Sequence, residues 1–280
     1  MNKRTLLQCK LFVFDMDGTL ILGNKPLSCA RELIEYMRRS NRRFVIVTNN
    51  SSEPNEKHAK NLSRILGIKI TADEIYSSLD HLGNYLKKHG MIENVFPLLT
   101  RSSKRYLHHK YGVKFSDKSP RLVVVGFDKE LTYSKLADAC IFIQKGVPWV
   151  LVHPDLRCPA EAGYLPDAGS IGKAIELTTG TRPIAILGKP SSEMLIEISL
   201  KNNVSTREVC YIGDRIYTDI RMAVESNAIP ILVLSGEATL QDLISDVALQ
   251  EKRILVFKDL CDLLDALGAM CSSSENLECI

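Results

Sequence analysis

Short apolar runs alternate with amphipathic helical patterns at both ends of this chain, and that alternation restricts its fold more than any other feature. "LFVF" (11–14) is followed by Ala30, Leu33, Ile34 and Met37 at helical spacing, then by "RRFVIV" (42–47). A helix carrying Leu62, Ile65 and Leu66 comes next and stops at Gly67. Toward the other end, "IAIL" (184–187), "VCYI" (209–212), "IPILVL" (229–234) and "ILVF" (254–257) are separated by helical stretches near 192–202, 218–226, 239–246 and 259–268. Strands that are apolar throughout need cover on both faces, and intervening helices supply it. The pattern predicts an α/β fold with a doubly wound, Rossmann-like parallel sheet.

The middle of the chain has a different texture. It carries a basic cluster, "RSSKRYLHHKYG" (101–112), and two strands, "RLVVVGF" (121–127) and "PWVLVH" (148–153). It reads as a smaller α/β unit inserted into the first. The expected division is a core of residues 1–77 and 182–280 around an inserted domain of residues 78–181. The basic cluster reads first as a solvated helix face, with a cap surface that attracts anions as the other option. The tail, "CSSSENLECI", reads as frayed.

Bulk properties narrow the classes. A formal net charge of +3 is too mild to argue for nucleic acid or a membrane surface. No apolar run is long enough to span a bilayer, and the basic start runs into Asp15 without a small-residue cleavage site. The eight cysteines are scattered and none forms a Cys-x-x-Cys pair. They read as reduced, mostly buried thiols of a cytoplasmic protein.

Chemistry concentrates where strands end, since ligands of an open parallel sheet bind beyond the carboxyl ends of its strands. After the first strand stand Asp15 and Asp17, then Gly18 and Thr19. After the second come Thr48 and Asn49, in "TNNSS". After "IAIL" comes "GKP" with Lys189, and after "VCYI" comes "GDRIYTD" with Asp214 and Asp219. Two unit charges about 4 Å apart at an effective dielectric near 20 repel by about 4 kcal/mol, so four gathered carboxylates call for a cation. An all-oxygen, carboxylate-rich set suits Mg²⁺. Lys189 would keep a neighbouring aspartate ionised, while Thr48, Gly18 and Thr19 would donate to a bound oxyanion. Such a crevice fits in-line attack on a phosphoryl group. Taken singly, each feature has a plainer account. Asp-x-Asp-Gly is common in turns, Lys189 could be a solvated loop lysine, and Asp214 and Asp219 could cap a helix. A calcium loop is excluded because no further acidic ligand follows at the required spacing.

These motifs, in this order, resemble those of the haloacid dehalogenase (HAD) superfamily of aspartate-nucleophile phosphohydrolases: "DMDGT", "TNNSS", "GKPS" and "GDRIYTDI". The resemblance is nearest to subfamily IIA, the NagD-like and nitrophenylphosphatase-like group, in which a cap is inserted after the second motif. It implies Asp15 as the nucleophile and Asp17 as the acid and then the base. It further implies that Thr48, Asn49 and Lys189 bind the phosphoryl group. Asp15, the main-chain carbonyl of Asp17, and Asp214 would ligate Mg²⁺, with Asp219 behind them. The stretch from 152 to 180 is similar to the end of a IIA cap, but His153 stands where the pattern usually has Asn, and Asp167 where it has Gly. These two departures bear on substrate choice, so no relative's substrate transfers directly. His153 reads either as a substrate contact or as a cap on a strand end.

The expected function is a Mg²⁺-dependent phosphatase of small phosphorylated metabolites: sugar phosphates, nucleoside monophosphates, pyridoxal phosphate or aryl phosphates. Phosphoryl transfer to another metabolite, and a non-catalytic receiver-like phosphate-binding protein, are the alternatives. Asp17, Asp219 and the large insertion weigh against the receiver, which needs neither a leaving-group acid nor a lid. Neither nucleic acid nor membrane is an expected partner. Members of the resembling group often pair through their caps, which leaves a homo-oligomer of that kind open.

Overall fold

The computed structural model describes residues 2–160, 163–250 and 252–268. The expected tail therefore lies outside the described residues. By contacts the chain forms two compact units. The first comprises the residues up to 47, 59–75 and those from 195 onward, and the second comprises 48–58 and 76–194.

The central sheet has six strands in the order Leu255–Phe257, Ile229–Val233, Val209–Gly213, Leu11–Asp15, Arg43–Thr48, Ile75–Ser77. Leu11–Asp15 runs parallel to both of its neighbours, with Phe14 opposite Ile212 on one side and Asp15 opposite Val47 on the other. Strand order grows outward from it in two directions, which is the doubly wound arrangement. All five of its residues are buried, as a strand covered on both faces requires. The helix Ala30–Arg39 buries Ala30, Leu33, Ile34 and Met37, one stripe of a 3.6-residue period. Glu32 in its first turn and Arg38 and Arg39 in its last complement the helix dipole. These side chains join Phe12, Phe14, Ile46, Cys210, Ile212 and Ile231 in one core.

The second unit carries its own parallel sheet, in the order Ala185–Ile186, Trp149–Leu151, Leu122–Val125, Val95–Leu98. "IAIL" is thus a strand, but its pairing partner is Trp149–Leu151 and not a strand of the central sheet. A two-residue parallel pairing leaves no periodic trace of which sheet it joins; Leu187, packed with Val150 and Val152, settles the matter. An antiparallel hairpin, Arg157–Ala160 with Gly163–Pro166, follows that sheet's third strand and has no counterpart in the sequence-based expectation.

The basic cluster forms the helix Arg101–Tyr111, capped by Thr100 at its start and by Gly112 (φ 75°) at its end. Its buried side chains are Ser103, Tyr106, Leu107 and Tyr111. Tyr106, Tyr111 and Lys110 all donate to Asp80 Oδ1, at 2.6, 2.6 and 2.7 Å. Burial alone would raise the Asp80 carboxyl, but Lys110 and the two phenols more than offset it and hold the group below its ordinary value. Gly83 is required on the facing helix, because a Cβ there would strike the Tyr111 ring.

The expectation of reduced cysteines is corrected. Cys9 is bonded to Cys210 and Cys29 to Cys261, with Cα atoms 5.8 and 5.1 Å apart. The partners lie 201 and 232 residues apart in sequence, so spacing alone does not reveal them. The fold does: Cys210 sits opposite Phe12 on the adjoining strand, close to Cys9. Cys140 is a buried free thiol. Among the described residues, no helix is long and apolar enough to cross a membrane.

Candidate active site

Asp15 is the last residue of its strand, and Asp214 follows the last residue of the neighbouring one. Side by side in register, these two strand ends deliver their carboxylates to one place. Asp15, Asp214 and Asp219 each offer an oxygen, and the three lie within 4.8 Å of one another, all buried. Thr19 stands between two of them: its hydroxyl lies 3.5 Å from Asp15 Oδ2 and 3.3 Å from Asp214 Oδ1. The Glu237 amide donates to Asp214 Oδ2 at 2.8 Å. Backbone comes this close only because side chains are missing. A Cβ on Gly18 (φ 97°) or on Gly236 would fall on the Asp214 carboxylate.

Asp219 is held differently. The Tyr211 hydroxyl donates to its Oδ1 at 3.0 Å and the Arg215 amide to its Oδ2 at 3.1 Å. Burial, and then the charges of Asp219, Asp15 and Asp214, push the Tyr211 phenol well above its ordinary value. It therefore stays a neutral donor. Asp17 lies outside this trio, half-buried in the turn that follows the strand, where the Gly18 amide closes onto the Ile21 carbonyl at 2.7 Å. The trio fits a hard divalent cation: three carboxylates, all oxygen, with glycines where a Cβ would intrude on the Asp214 carboxylate.

In the second unit the structure brings Asn49 and Lys189 together. Asn49 Oδ1 accepts the Lys189 amide at 2.8 Å, and its Nδ2 donates to the Lys189 carbonyl and to Asp155 Oδ2, both at 3.1 Å. Both residues are buried. The preceding Gly188 amide donates to His81 Nδ1 at 3.1 Å. Burial, followed by the charge of Lys88, pushes the His81 imidazole down to about 4, so it remains a neutral acceptor. Thr48 is buried, and its Oγ1 accepts the Asn50 amide at 3.1 Å.

His153 is fully buried. Its Nε2 pairs with Ser51 Oγ at 3.1 Å and lies 3.5 Å from Asp167 Oδ1, while its Nδ1 lies 3.7 Å from Asp155 Oδ2. The two departures from the family pattern, His153 and Asp167, thus meet. Asp167 also caps the helix Ala168–Thr179 through the Ala168 amide at 2.6 Å. Burial pushes its carboxyl up, partly offset by His153. Asp155 and His81 carried no motif, and Ser51 stood within "TNNSS" with no role of its own; Asp155 was signalled by its place just after a strand.

The profile of the haloacid dehalogenase-like hydrolases matches residues 12–114, and that of HAD-hydrolase-like proteins matches 186–263. A 4-nitrophenylphosphatase structure from Thermotoga maritima is 37% identical, with a TM-score of 0.86 over 94% of this chain and 99% of that one. The chain belongs to the haloacid dehalogenase superfamily. Within it, the chain falls in subfamily IIA with NagD and the nitrophenylphosphatases, and it is a hydrolase of the phosphatase type. An acid sugar phosphatase of Staphylococcus aureus is 28% identical over 235 residues, 84% of this chain and 90% of that protein. A glycerol phosphate phosphatase structure from Mycobacterium tuberculosis, in complex with magnesium, is 26% identical, with a TM-score of 0.84 over 92% of this chain and 78% of that one.

Proposed function

We propose that this superfamily member is a Mg²⁺-dependent phosphatase of small phosphorylated metabolites that works through an aspartyl-phosphate. The observation that carries this is the convergence of Asp15, Asp214 and Asp219 at two adjoining strand ends. Asp15, the Asp17 carbonyl and Asp214 would hold the ion, with Asp219, itself steadied by Tyr211 and Arg215, behind them. When bound, Mg²⁺ offsets charge on the phosphoryl oxygens.

The residues do the rest. Asp15 attacks phosphorus in line. The bond to the leaving oxygen breaks as Asp17 delivers a proton to it, leaving the phosphoryl group on Asp15 as an acyl phosphate. Asp17, now a carboxylate, takes a proton from water; the water oxygen attacks phosphorus, and the Asp15 carboxylate is released with inorganic phosphate. Thr48 and Asn49 donate hydrogen bonds to the phosphoryl oxygens and Lys189 supplies a point charge. Residues 78–181 act as the cap, which excludes water and chooses the leaving group.

The similarity to an acid sugar phosphatase and a glycerol phosphate phosphatase supports sugar and polyol phosphates as the first substrates to try. Nucleoside monophosphates, pyridoxal phosphate and aryl phosphates complete the panel. Nucleic acid and membranes are not proposed partners, and pairing through the cap is the proposed oligomeric form. The proposed compartment is the cytoplasm, where a reducing thiol pool acts against disulfides; thiol counts on protein from its own cells would show whether the two pairs are bonded there. The test of function is phosphate release from the panel with Mg²⁺, with EDTA, and with Asp15→Asn. Release only by the wild type with metal is expected. Equal release in EDTA would overturn the metal requirement, and equal release by Asp15→Asn the nucleophile.

A further inference from the structure

The second unit holds a buried group of side chains that the proposed chemistry does not use. His153, Asp155 and Asp167 place one ligand-type atom each within 4.8 Å of one another. His153 Nδ1 has no hydrogen-bond partner, and neither does Asp155 Oδ1. One placement of the hydrogens around the ring suits its neighbours. Ser51 Oγ accepts the Phe127 amide at 2.8 Å and still has its own hydrogen to donate to His153 Nε2 at 3.1 Å. In that arrangement Nδ1 carries a hydrogen, and it faces Asp155 Oδ2.

The same Oδ2 atom accepts from Asn49 Nδ2, and Asn49 brackets the Lys189 peptide with two further bonds. A second path joins the same ends: a Cβ on Gly188 would collide with both Asn49 Oδ1 and His153 Cβ, so His153 backs the Gly188–Lys189 turn directly. We propose that His153 is a positioning residue, which orients Asp155 so that Asn49 and the Lys189 turn keep the attitude needed to take a phosphoryl group. This deepens the phosphatase reading above and rests on it. His153 touches neither substrate nor reacting atoms in this role. What it supplies is a donor at the Nδ1 position and a packing wall for Gly188.

The prediction turns on which atom is kept. Asn places its amide nitrogen near the Nδ1 position of His, whereas Leu fills the volume with no donor. Wild type, His153→Leu, His153→Asn, Asp155→Ala and the His153→Leu/Asp155→Ala double variant are compared. The readouts are kcat and KM on an aryl phosphate, inhibition by inorganic phosphate, and thermal midpoint. His153→Leu is expected to weaken phosphate binding and lower kcat/KM by about three- to tenfold, below the scale of a full hydrogen bond to a charged group because Nδ1 and Asp155 Oδ2 are 3.7 Å apart. His153→Asn should recover most of that loss, and the double variant should be no worse than Asp155→Ala alone. If His153→Leu folds and binds phosphate as the wild type does, the inference fails. It also fails if Asn and Leu are equally impaired, since His153 would then be core filler. Should His153→Leu not fold, Asp155→Ala decides: unchanged phosphate binding there overturns the relay. A wild type that neither binds phosphate nor hydrolyses any ester would instead overturn the phosphatase reading, and this inference with it.

Discussion

Asp15 and Asp214 owe their meeting to the register of two adjoining parallel strands, whereas Asn49 and Lys189 owe theirs to bonds between loop segments, although both meetings span much of the sequence. Thr19 reaches Asp15 from four residues away and Asp214 across 195, while Tyr211 and Arg215 reach Asp219 from eight and four residues away. Asn49 meets Lys189 across 140 residues and Asp155 across 106, and Gly188 meets His81 across 107. The first arrangement is a property of strand ends and tight glycine turns. The second exists only once the second unit has assembled, so disturbing any member should be felt by the others.

The largest contrast should come from the charge trio. Asp15→Asn is expected to lower turnover by at least about a thousandfold, on the scale of losing a nucleophile. Its thermal midpoint should not fall, because one of three crowded carboxylates becomes neutral. Phosphate release and a melting curve check both; a large loss of stability would mean that Asp15 is a structural anchor.

Acid should separate the two regions next. His81 is fully buried, and burial pushes it down to about 4 from an ordinary 6.5. Between those values the unfolded chain binds more protons than the folded one, so stability is full above about pH 6.5 and falls as pH drops toward 4. The total is about 3 kcal/mol. Protonation would also remove the acceptor of the Gly188 amide. Denaturant melts of the wild type and His81→Asn across this range should show the slope in the first and its loss in the second. An identical slope in both would place the acid sensitivity elsewhere.

Asn49→Ala removes both bonds to the Lys189 peptide, and a loss of about 1–3 kcal/mol in stability is expected, together with a raised KM. If only KM moved, Asn49 would be a ligand to substrate and not also a brace, and the contrast between the regions would weaken. The smallest effect is expected from Tyr211→Phe. It deprives Asp219 of the Tyr211 donor and should cost about 1 kcal/mol and a few-fold in kcat, best read in paired assays with the wild type.

That difference between strand ends and loop contacts also explains what the sequence disclosed. Leu11–Asp15, Arg43–Thr48 and Val209–Gly213 were legible because a strand buried on both faces is an uninterrupted apolar run, and the polar residue ending it marks the sheet's functional edge. Ala30, Leu33, Ile34 and Met37 were legible through their period. Ala185–Ile186 was recognisable as a strand but not as a member of the second sheet, since a two-residue pairing carries no register signal. The disulfide partners, the bond from Asn49 to Asp155, and the meeting of His153 with Asp167 depend on tertiary proximity, which no local pattern encodes. Asp80 shows the same limit. It belongs to the capping box of the helix Ser78–Lys88, yet two tyrosines and a lysine from another helix also converge on it.

The central claim is that phosphate passes through Asp15. The direct measurement is intact and peptide mass analysis of Asp17→Asn, quenched in acid after mixing with an aryl phosphate and Mg²⁺. Without Asp17 to activate water, the intermediate should persist. The account predicts the added mass of one phosphoryl group, located on the peptide that contains Asp15 and absent from the Asp15→Asn/Asp17→Asn double variant. Release of the aryl alcohol by Asp17→Asn with no label on that peptide would contradict it, and would point to direct attack by water.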